Sequence, residues 1–392
     1  MRFIHVSDLH LGKRVHEFPM IEDQMIVLDS IVDLCERERP DAIVIAGDVY
    51  DKAIPSIEAI DLFERFLIRL SELSVPILMI AGNHDSGERL SFGSSFLEKH
   101  DIHIAGVFNG VIPSVEVASG ADQWTTFHLL PFIRAGHVRR FFPDREIRTV
   151  EEAVEAALSR VTRGRGQQVL IAHQFVVARG SELVRSDSET LQVGTADEID
   201  VSLFSTFDYV ALGHLHGKQR VGRRDVFYSG SPLPYSFSEV NQVKGALIVD
   251  MTADGTVTVR QEPLERRRDM RRIRGTLSEL LEQGVHLKRI DDKARFDYLE
   301  VTLTDKGPVV DPMSRLRDVY PHVMRLLFER KRSGSSESET LIAKSDLTKK
   351  SPVDLFSEFF NRQLNRSLTD EQLRVVREVT ARAEDILGGG EV

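Results

Sequence analysis

The sequence predicts an α/β protein in which two packed sheets are covered by helices. Three observations carry this reading. The first hundred residues alternate short apolar runs with stretches of helical spacing, the part that follows is richer in strand than in helix, and the apolar runs repeatedly end in a carboxylate, an amide or an imidazole.

Residues 2–6 form the first apolar run, and 20–39 carries Ile21, Met25, Leu28, Val32 and Cys35 at helical spacing. A buried strand over 41–46, a helix over 56–73 and a strand over 76–81 complete a βαβαβ beginning, which implies a helix-covered sheet with right-handed crossovers. Strands over 168–173, 209–213, 226–229, 246–250 and 256–260, with a helix over 150–161, predict a second sheet packed on the first. The pattern changes near Pro263, so a first domain is expected over 1–265. Residues 266–330 form a smaller mixed unit that opens on Arg266, Arg267, Arg268, Arg271, Arg272 and Arg274, with an alternating strand over 298–304 and a helix over 312–327. The polar stretch 331–350 has nothing to bury and reads as a linker. In 351–392, Ser351-Pro352 with Asp354, and Thr369 with Gln372, have the form of helix caps.

Composition narrows the function. With 41% hydrophobic and 29% charged residues among 392, the chain can bury one large core or two modest ones, which excludes a disordered or collagen-like protein. No run approaches the roughly 20 consecutive apolar residues of a membrane span. The single cysteine, Cys35, has no internal partner, and Met1-Arg2-Phe3-Ile4-His5 lacks the layout of a signal peptide, so a cytoplasmic protein without a membrane is expected. The net charge of −10 argues against coating nucleic acid by bulk charge, but it is unevenly spread: residues 1–259 hold 25 bases against 37 acids, and 260–330 hold 16 against 13.

The polar strand ends carry the chemistry. Asp8-Leu9-His10 follows the first strand, Gly47-Asp48-Val49-Tyr50-Asp51 the second and Gly82-Asn83-His84-Asp85 the third. Later strands end in His173 and in Gly213-His214-Leu215-His216. Taken singly, each has a commoner explanation as a turn or a structural hydrogen-bonder. Taken together, five strand ends supply oxygen and nitrogen donors and no sulfur, at the edge where open α/β sheets place their ligands. Such donors suit manganese, iron or zinc, and the lack of thiolate disfavours a structural zinc site. Asp8, His10, Asp48, Asn83, His173, His214 and His216 are too many for one tetrahedral ion. They fit two ions sharing a bridging carboxylate, about 3.5–4 Å apart, and hence hydrolytic phosphoryl transfer.

In this order, D-x-H, G-D-x-x-D, G-N-H-D, a later His and G-H-x-H resemble the calcineurin-like metallophosphoesterase superfamily. The resemblance implies a four-layer α/β/β/α sandwich with a small α/β capping domain and a C-terminal helical hairpin. It implies that Asp8, His10, Asp48 and His216 bind one metal and Asp48, Asn83, His173 and His214 the other, with Asp48 as the bridge. The ions would be manganese first, with magnesium, iron or zinc as alternatives. His84 would not be a ligand; it would stabilise the transition state and protonate the leaving oxygen, oriented by Asp85 or Asp51. The protein Ser/Thr phosphatase subgroup is disfavoured, because Asp51-Lys52-Ala53 and Asn83-His84-Asp85 stand where it has other residues.

Ile4 to Gly12, Gly213 to Gly217, Tyr228-Ser229-Gly230-Ser231-Pro232 and the capping segment are similar to the nuclease subunits of bacterial DNA-repair complexes within that superfamily. This implies a manganese-dependent nuclease acting on DNA ends and hairpins, paired with an SMC-family ATPase. A small-molecule or cyclic-nucleotide phosphodiesterase is the alternative within the class, with no evident use for 260–392. A non-catalytic scaffold of the same fold is the alternative outside it, and its mark would be a lost donor.

Apolar residues Ile60, Phe63, Leu67 and Leu70, with Leu90, Phe92, Phe96 and Leu97, either face the core or, as the resemblance implies, form part of a homodimer interface. The arginine block divides evenly between a solvated strand and a phosphate-contacting patch, and Arg89 is the better-placed candidate for the DNA backbone. The tail faces carrying Val353, Leu355, Phe356, Phe359, Phe360 and Leu364, then Leu373, Val376, Val379, Ala383 and Ile386, need a surface to bury them, either on this chain or on the ATPase partner.

Overall fold

The computed structural model describes residues 1–120, 123–178, 183–189, 198–329, five positions between 353 and 360, and 367–388. Met1–Glu329 is one compact unit and Arg330–Val392 a second.

The first sheet is built from β1 (Arg2–Val6), β2 (Ala42–Ala46), β3 (Ile77–Ile80) and β4 (Ile102–Ala105), which are parallel and run in that order across the sheet. Two returning strands, Gly245–Met251 and Val257–Pro263, add antiparallel beyond β1. Helices α1 (Ile21–Glu38) and α2 (Ile57–Ser71) are the crossovers between the parallel strands. Ser56 caps α2 by accepting the Ala59 amide. The second sheet centres on β5 (Gln123–Leu130), β6 (Gln167–His173), β7 (Tyr209–Gly213) and β8 (Val226–Tyr228), all parallel, and Val150–Leu158 is its covering helix.

Strict alternation explains why these strands are apolar throughout. In β2, Ala42, Val44 and Ala46 face Phe127, Val169, Ile171, Tyr209 and Ala211 of the second sheet, whereas Ile43 and Ile45 face α1 and α2. On the far side of the second sheet, Leu170, Val210 and Leu212 pack on Ala153, Val154 and Ala157. Both faces of both sheets are therefore covered, which gives helix, sheet, sheet, helix in four layers.

From Arg266 the chain builds a parallel three-stranded sheet of its own, β9 (Met270–Gly275), β10 (Tyr298–Leu303) and β11 (Val323–Phe328), with Leu277–Arg289 and Pro312–Arg317 as helices. The helix expected over 312–327 stops at Arg317, and Val323–Phe328 is a strand. Pro321 is the cause: it cannot donate to a helix, and it biases the preceding residue away from helical geometry. The strand over Ile102–Ala105 and the helix over Leu277–Arg289, absent from the expectation, also form.

The arginine block is absorbed by this unit. Arg266 pairs with Asp269, Arg267 with Glu22, Arg271 with Asp297, Arg272 with Glu300 and Arg274 with Glu329. Arg268 reaches furthest in. Its guanidinium donates to Asp23 at 2.7 Å, and the same carboxylate oxygen accepts the Tyr298 hydroxyl at 2.7 Å. The next residue, Gln24, faces the other way and donates to the His10 carbonyl at 2.7 Å.

In the second unit the helix Asp370–Gly388 opens on the expected box, with Thr369 and Gln372 exchanging backbone-to-side-chain hydrogen bonds of 3.1 and 3.3 Å. The expected linker 331–350, and Leu355, Phe359 and Leu364 of the preceding helix, lie outside the described residues, as do the side chains of Ala383 and Ile386. Among the described residues, no helix is long and apolar enough to cross a membrane.

Asp23→Ala should lower stability by about 3 kcal/mol, because it leaves the largely buried Arg268 short of its innermost partner, while Arg274→Ala on the exposed strand edge should leave the denaturation midpoint nearly unchanged. Urea denaturation followed by circular dichroism measures both.

Candidate metal centre

Three of the five polar motifs leave their strands through strained backbone. Asp8 (φ 55°), His10 (φ 45°), Asp48 (φ 51°) and His214 (φ 110°) all adopt positive φ, a conformation that non-glycine residues hold only when their surroundings dictate it. The dictating contacts are main-chain bonds between loops. The Asp8 amide donates to the Gly47 carbonyl at 3.0 Å, that of His10 to Asp48 at 3.0 Å and that of Leu11 to Val49 at 2.9 Å. Two motif glycines are required by close approach. A Cβ on Gly82 would lie 2.2 Å from Asp48 Oδ1, and one on Gly47 would lie 2.5 Å from His173 Nδ1.

This scaffold brings all seven predicted donors together. Asp48 lies at the middle, with Oδ2 3.6 Å from His10 Nε2 and 3.3 Å from His173 Nε2. Asn83 Oδ1 lies 3.1 Å from His173 Nε2 and 2.8 Å from His214 Nδ1. His10 Nε2 and His216 Nε2 face each other at 3.0 Å. Asp8 receives the His214 amide and the Ser7 hydroxyl. Donor atoms of Asp8, His10 and His216, and separately of Asp8, Asp48 and His173, lie within 4.8 Å of one another.

The hydrogen bonds behind the rings decide which nitrogens face inward. Ala46 O accepts from His173 Nδ1 at 2.8 Å; a carbonyl can only accept, so Nδ1 carries the proton and Nε2 faces Asp48. For His216 the device is a relay. Ser188 donates its hydroxyl proton to Glu239, and its oxygen accepts from His216 Nδ1 at 2.7 Å, which leaves Nε2 toward His10. Glu239 is fully buried and paired with the buried Lys244, whose ammonium also donates to the His216 carbonyl at 2.7 Å.

Charge in this space is tightly held. Burial alone would protonate Asp48, but His173, His10 and His84 keep its carboxyl well below the usual carboxylate range. Burial, with Asp48 a lesser contribution, raises Asp8. Burial also drives His10 far down and His214 down to about 3, so both rings are neutral donors, whereas Asp48, Asp8 and the Ala46 carbonyl overcome burial to hold His173 up to about 9. The donor set fits divalent cations. It is all oxygen and nitrogen, and the inward nitrogens of His10 and His216 lie with the Asp8 carboxylate, and that of His173 with the carboxylates of Asp8 and Asp48, within one ion's reach.

His84 sits beside this cluster, its ring centroid 4.7 Å from that of His10. Its amide donates to Asp48 Oδ1 at 2.8 Å, and its Nδ1 lies 2.9 Å from the main-chain carbonyl of Asp51. The orienting group is thus a carbonyl, where the sequence suggests a carboxylate. The Asp51 carboxylate instead takes Lys13 Nζ at 2.7 Å. Asp85 accepts the amides of Val49, Tyr50 and Gly82 at 3.1, 2.9 and 2.9 Å and so fastens two motifs to each other; burial and Asp48 still push its carboxyl up to about 6.

Arg89 is not brought to the donors. It lies on the short helix Gly87–Leu90 and lines an apolar groove with Tyr50, Phe63 and Phe92. Ser188, Glu239 and Lys244 escape the sequence reading because they belong to no strand end; the one signal they leave is a Glu and a Lys among the apolar and small residues after Pro232.

Residues 1–218 match the calcineurin-like phosphoesterase family, and residues 266–363 match the type 5 capsule protein repressor C-terminal domain. The chain is 36% identical over 331 residues to the SbcD subunit of the nuclease SbcCD from Staphylococcus epidermidis, covering 83% of this chain and 85% of that protein. Among solved structures it is similar to TT1561 of Thermus thermophilus, with 14% identity, 66% of this chain and 98% of that one covered, and a TM-score of 0.40. It is also similar to a dimetal phosphatase from Danio rerio, with 15% identity, coverage of 67% and 96%, and a TM-score of 0.40.

Burial works against the Glu239 carboxylate, but His216 and Lys244 bring it from 4.5 down to about 2. A depressed carboxyl adds stability above its unfolded value and loses it as pH falls toward its folded one. Glu239→Gln should therefore be less stable than the wild type by about 3 kcal/mol at pH 7, because Lys244 stays buried without its partner, and the gap should narrow from pH 4.5 downward. Guanidinium denaturation at stepped pH reads the gap.

Proposed function

The chain belongs to the calcineurin-like phosphoesterase family, on the branch of the SbcD nuclease subunits, and we propose that it cleaves DNA phosphodiesters at ends and hairpins as the nuclease subunit beside an SbcC-like SMC-family ATPase. The observation that carries this is the gathering of seven nitrogen and oxygen donors from five strand ends, with the buried Asp48 carboxylate among them, in a chain that also matches the relative through the capping segment. A scaffold that had abandoned catalysis would have no reason to keep strained backbone at Asp8, His10, Asp48 and His214.

The family uses two divalent cations, and the preferred pair here is manganese. Asp8, His10, Asp48 and His216 would hold one, and Asp48, Asn83, His173 and His214 the other. Bound there, the cations supply the Lewis acidity for an in-line displacement at phosphorus. The protein does the rest. Ala46 and the Ser188–Glu239 relay fix the inward nitrogens of His173 and His216. Asp85 locks the Asp48 loop to the Asn83 loop. The Asp51 carbonyl accepts from Nδ1 of His84 and turns Nε2 outward, so that the ring, when it carries a proton on both nitrogens, can stabilise the departing oxygen and pass it the Nε2 proton, returning to the neutral Nδ1–H form.

A second copy of the chain would meet the face of α2. Phe63 and Leu70 are in the core, but Ile60, Ile68, Phe92 and Phe96 are 45%, 52%, 87% and 65% exposed, large apolar side chains that a partner surface would cover. The proposed homodimer places two donor clusters on one DNA. Sedimentation velocity at micromolar protein should show a dimer, and Phe92→Asp/Phe96→Asp should give a monomer.

With manganese, the protein should cut hairpin and linear duplex DNA as well as bis-p-nitrophenyl phosphate, and EDTA should abolish both activities. His84→Ala should keep its manganese, measured by plasma emission, while turnover falls by about 10²–10⁴. Unchanged turnover removes His84 from the mechanism.

A further inference from the structure

Beside the donors, and sharing Asn83 as a wall, lies a cleft of about 410 Å³, within the range of small-molecule sites. Its opposite wall comes from the segment after β5: the half-buried Phe132, then Arg134, His137 and Arg140. Its floor is bare backbone where two loops cross; a Cβ on Gly106 would lie 2.2 Å from the Gly87 carbonyl.

The arginines here differ from those of the capping segment. Each member of the 266–274 block has a carboxylate partner, and Arg139 donates from Nε and Nη2 to the Ile147 carbonyl. Arg134 and Arg140 have no carboxylate within ion-pair distance among the described residues. Their guanidinia lie over the faces of Phe132 and Phe141, at 5.4 and 4.7 Å from the ring centres. Together with burial they depress the neighbouring His137. Among the described residues, Glu88 on the rim is the one acid in contact with the cleft besides Asp85, whose carboxylate is turned into the loops. Two unpaired planar forks and an aromatic face, opening onto a phosphoryl-transfer centre, match the chemistry of a single-stranded polynucleotide: forks for phosphate, ring for base.

We propose that this cleft is the subsite for the nucleotide adjoining the scissile bond, with the neighbouring phosphate held by Arg134 and Arg140 and the base lying against Phe132. The subsite rests on the nuclease reading and adds to it a grip on the strand that does not depend on base identity.

The test uses the full chain with manganese and three short single-stranded oligonucleotides. One is unmodified, and the other two carry one neutral methylphosphonate in the linkage on either side of the cut. For the wild type, neutralising the linkage on one side should lower kcat/KM about tenfold, the size of one lost charge-assisted contact. In Arg134→Ala/Arg140→Ala that penalty should vanish, because the charge it removes no longer has a partner, and in Arg134→Lys/Arg140→Lys part of it should return. Cleavage of DNA by the wild type with no penalty on either side, or a penalty that survives the double alanine substitution, overturns the subsite and leaves the nuclease intact. Hydrolysis of bis-p-nitrophenyl phosphate with no cleavage of any oligonucleotide overturns the nuclease reading, and the subsite with it.

Discussion

Asp48 is a carboxylate that stays ionised while almost wholly buried, and much of the molecule is arranged around that fact. An isolated charge in such a place is untenable, so opposite charge must surround it. His173 does part of this from the second sheet, and the His84 amide does part from the third strand. The remainder of the design keeps those partners in register: positive φ turns the ligand loops inward, glycines let them touch, and Asp85 fastens one loop to the next. Cations bound by these donors would take over the role that the proton on His173 plays, so cation binding should be accompanied by proton release.

Much of this is legible in the sequence because it is written locally. Strands buried on both faces read as unbroken apolar runs, and the residue after each run is where a parallel sheet presents its ligands. Hence Asp8, His10, Asp48, Asn83, His173, His214 and His216 stand out from the letters alone. What stays hidden is written in pairs of distant residues. Nothing near Glu239 in the chain says that it braces His216 through Ser188, and nothing near Arg268 says that Asp23 is its partner. For His84 the sequence names Asp51 as one of two orienting residues but not the group it uses: a side chain can be guessed from its letter, whereas the Asp51 carbonyl that holds the ring belongs to no letter. The strand Val323–Phe328 reads as helix because its apolar spacing masks the interruption at Pro321.

The arginine block shows why a count of charges is a poor guide to partners. Six arginines in nine residues suggest a polyanion, yet each is answered by an acid of the same chain, four of them in or next to the strands of the same small sheet and two, Glu22 and Asp23, on the first turn of α1. The cleft beside Asn83 carries only two arginines, which no acid among the described residues answers. Binding to phosphate depends on what remains after internal pairing, and Arg134 and Arg140 remain.

The donor cluster also joins the two halves of the chain. Asp8, His10, Asp48 and Asn83 come from one sheet and His173, His214 and His216 from the other, and the contact between His10 and His216 closes a loop of 206 residues. Closing a loop of that length costs chain entropy before any contact repays it. Neither sheet alone assembles the cluster, so the site exists only once the two sheets are packed on each other. Possession of the site certifies that the fold is complete.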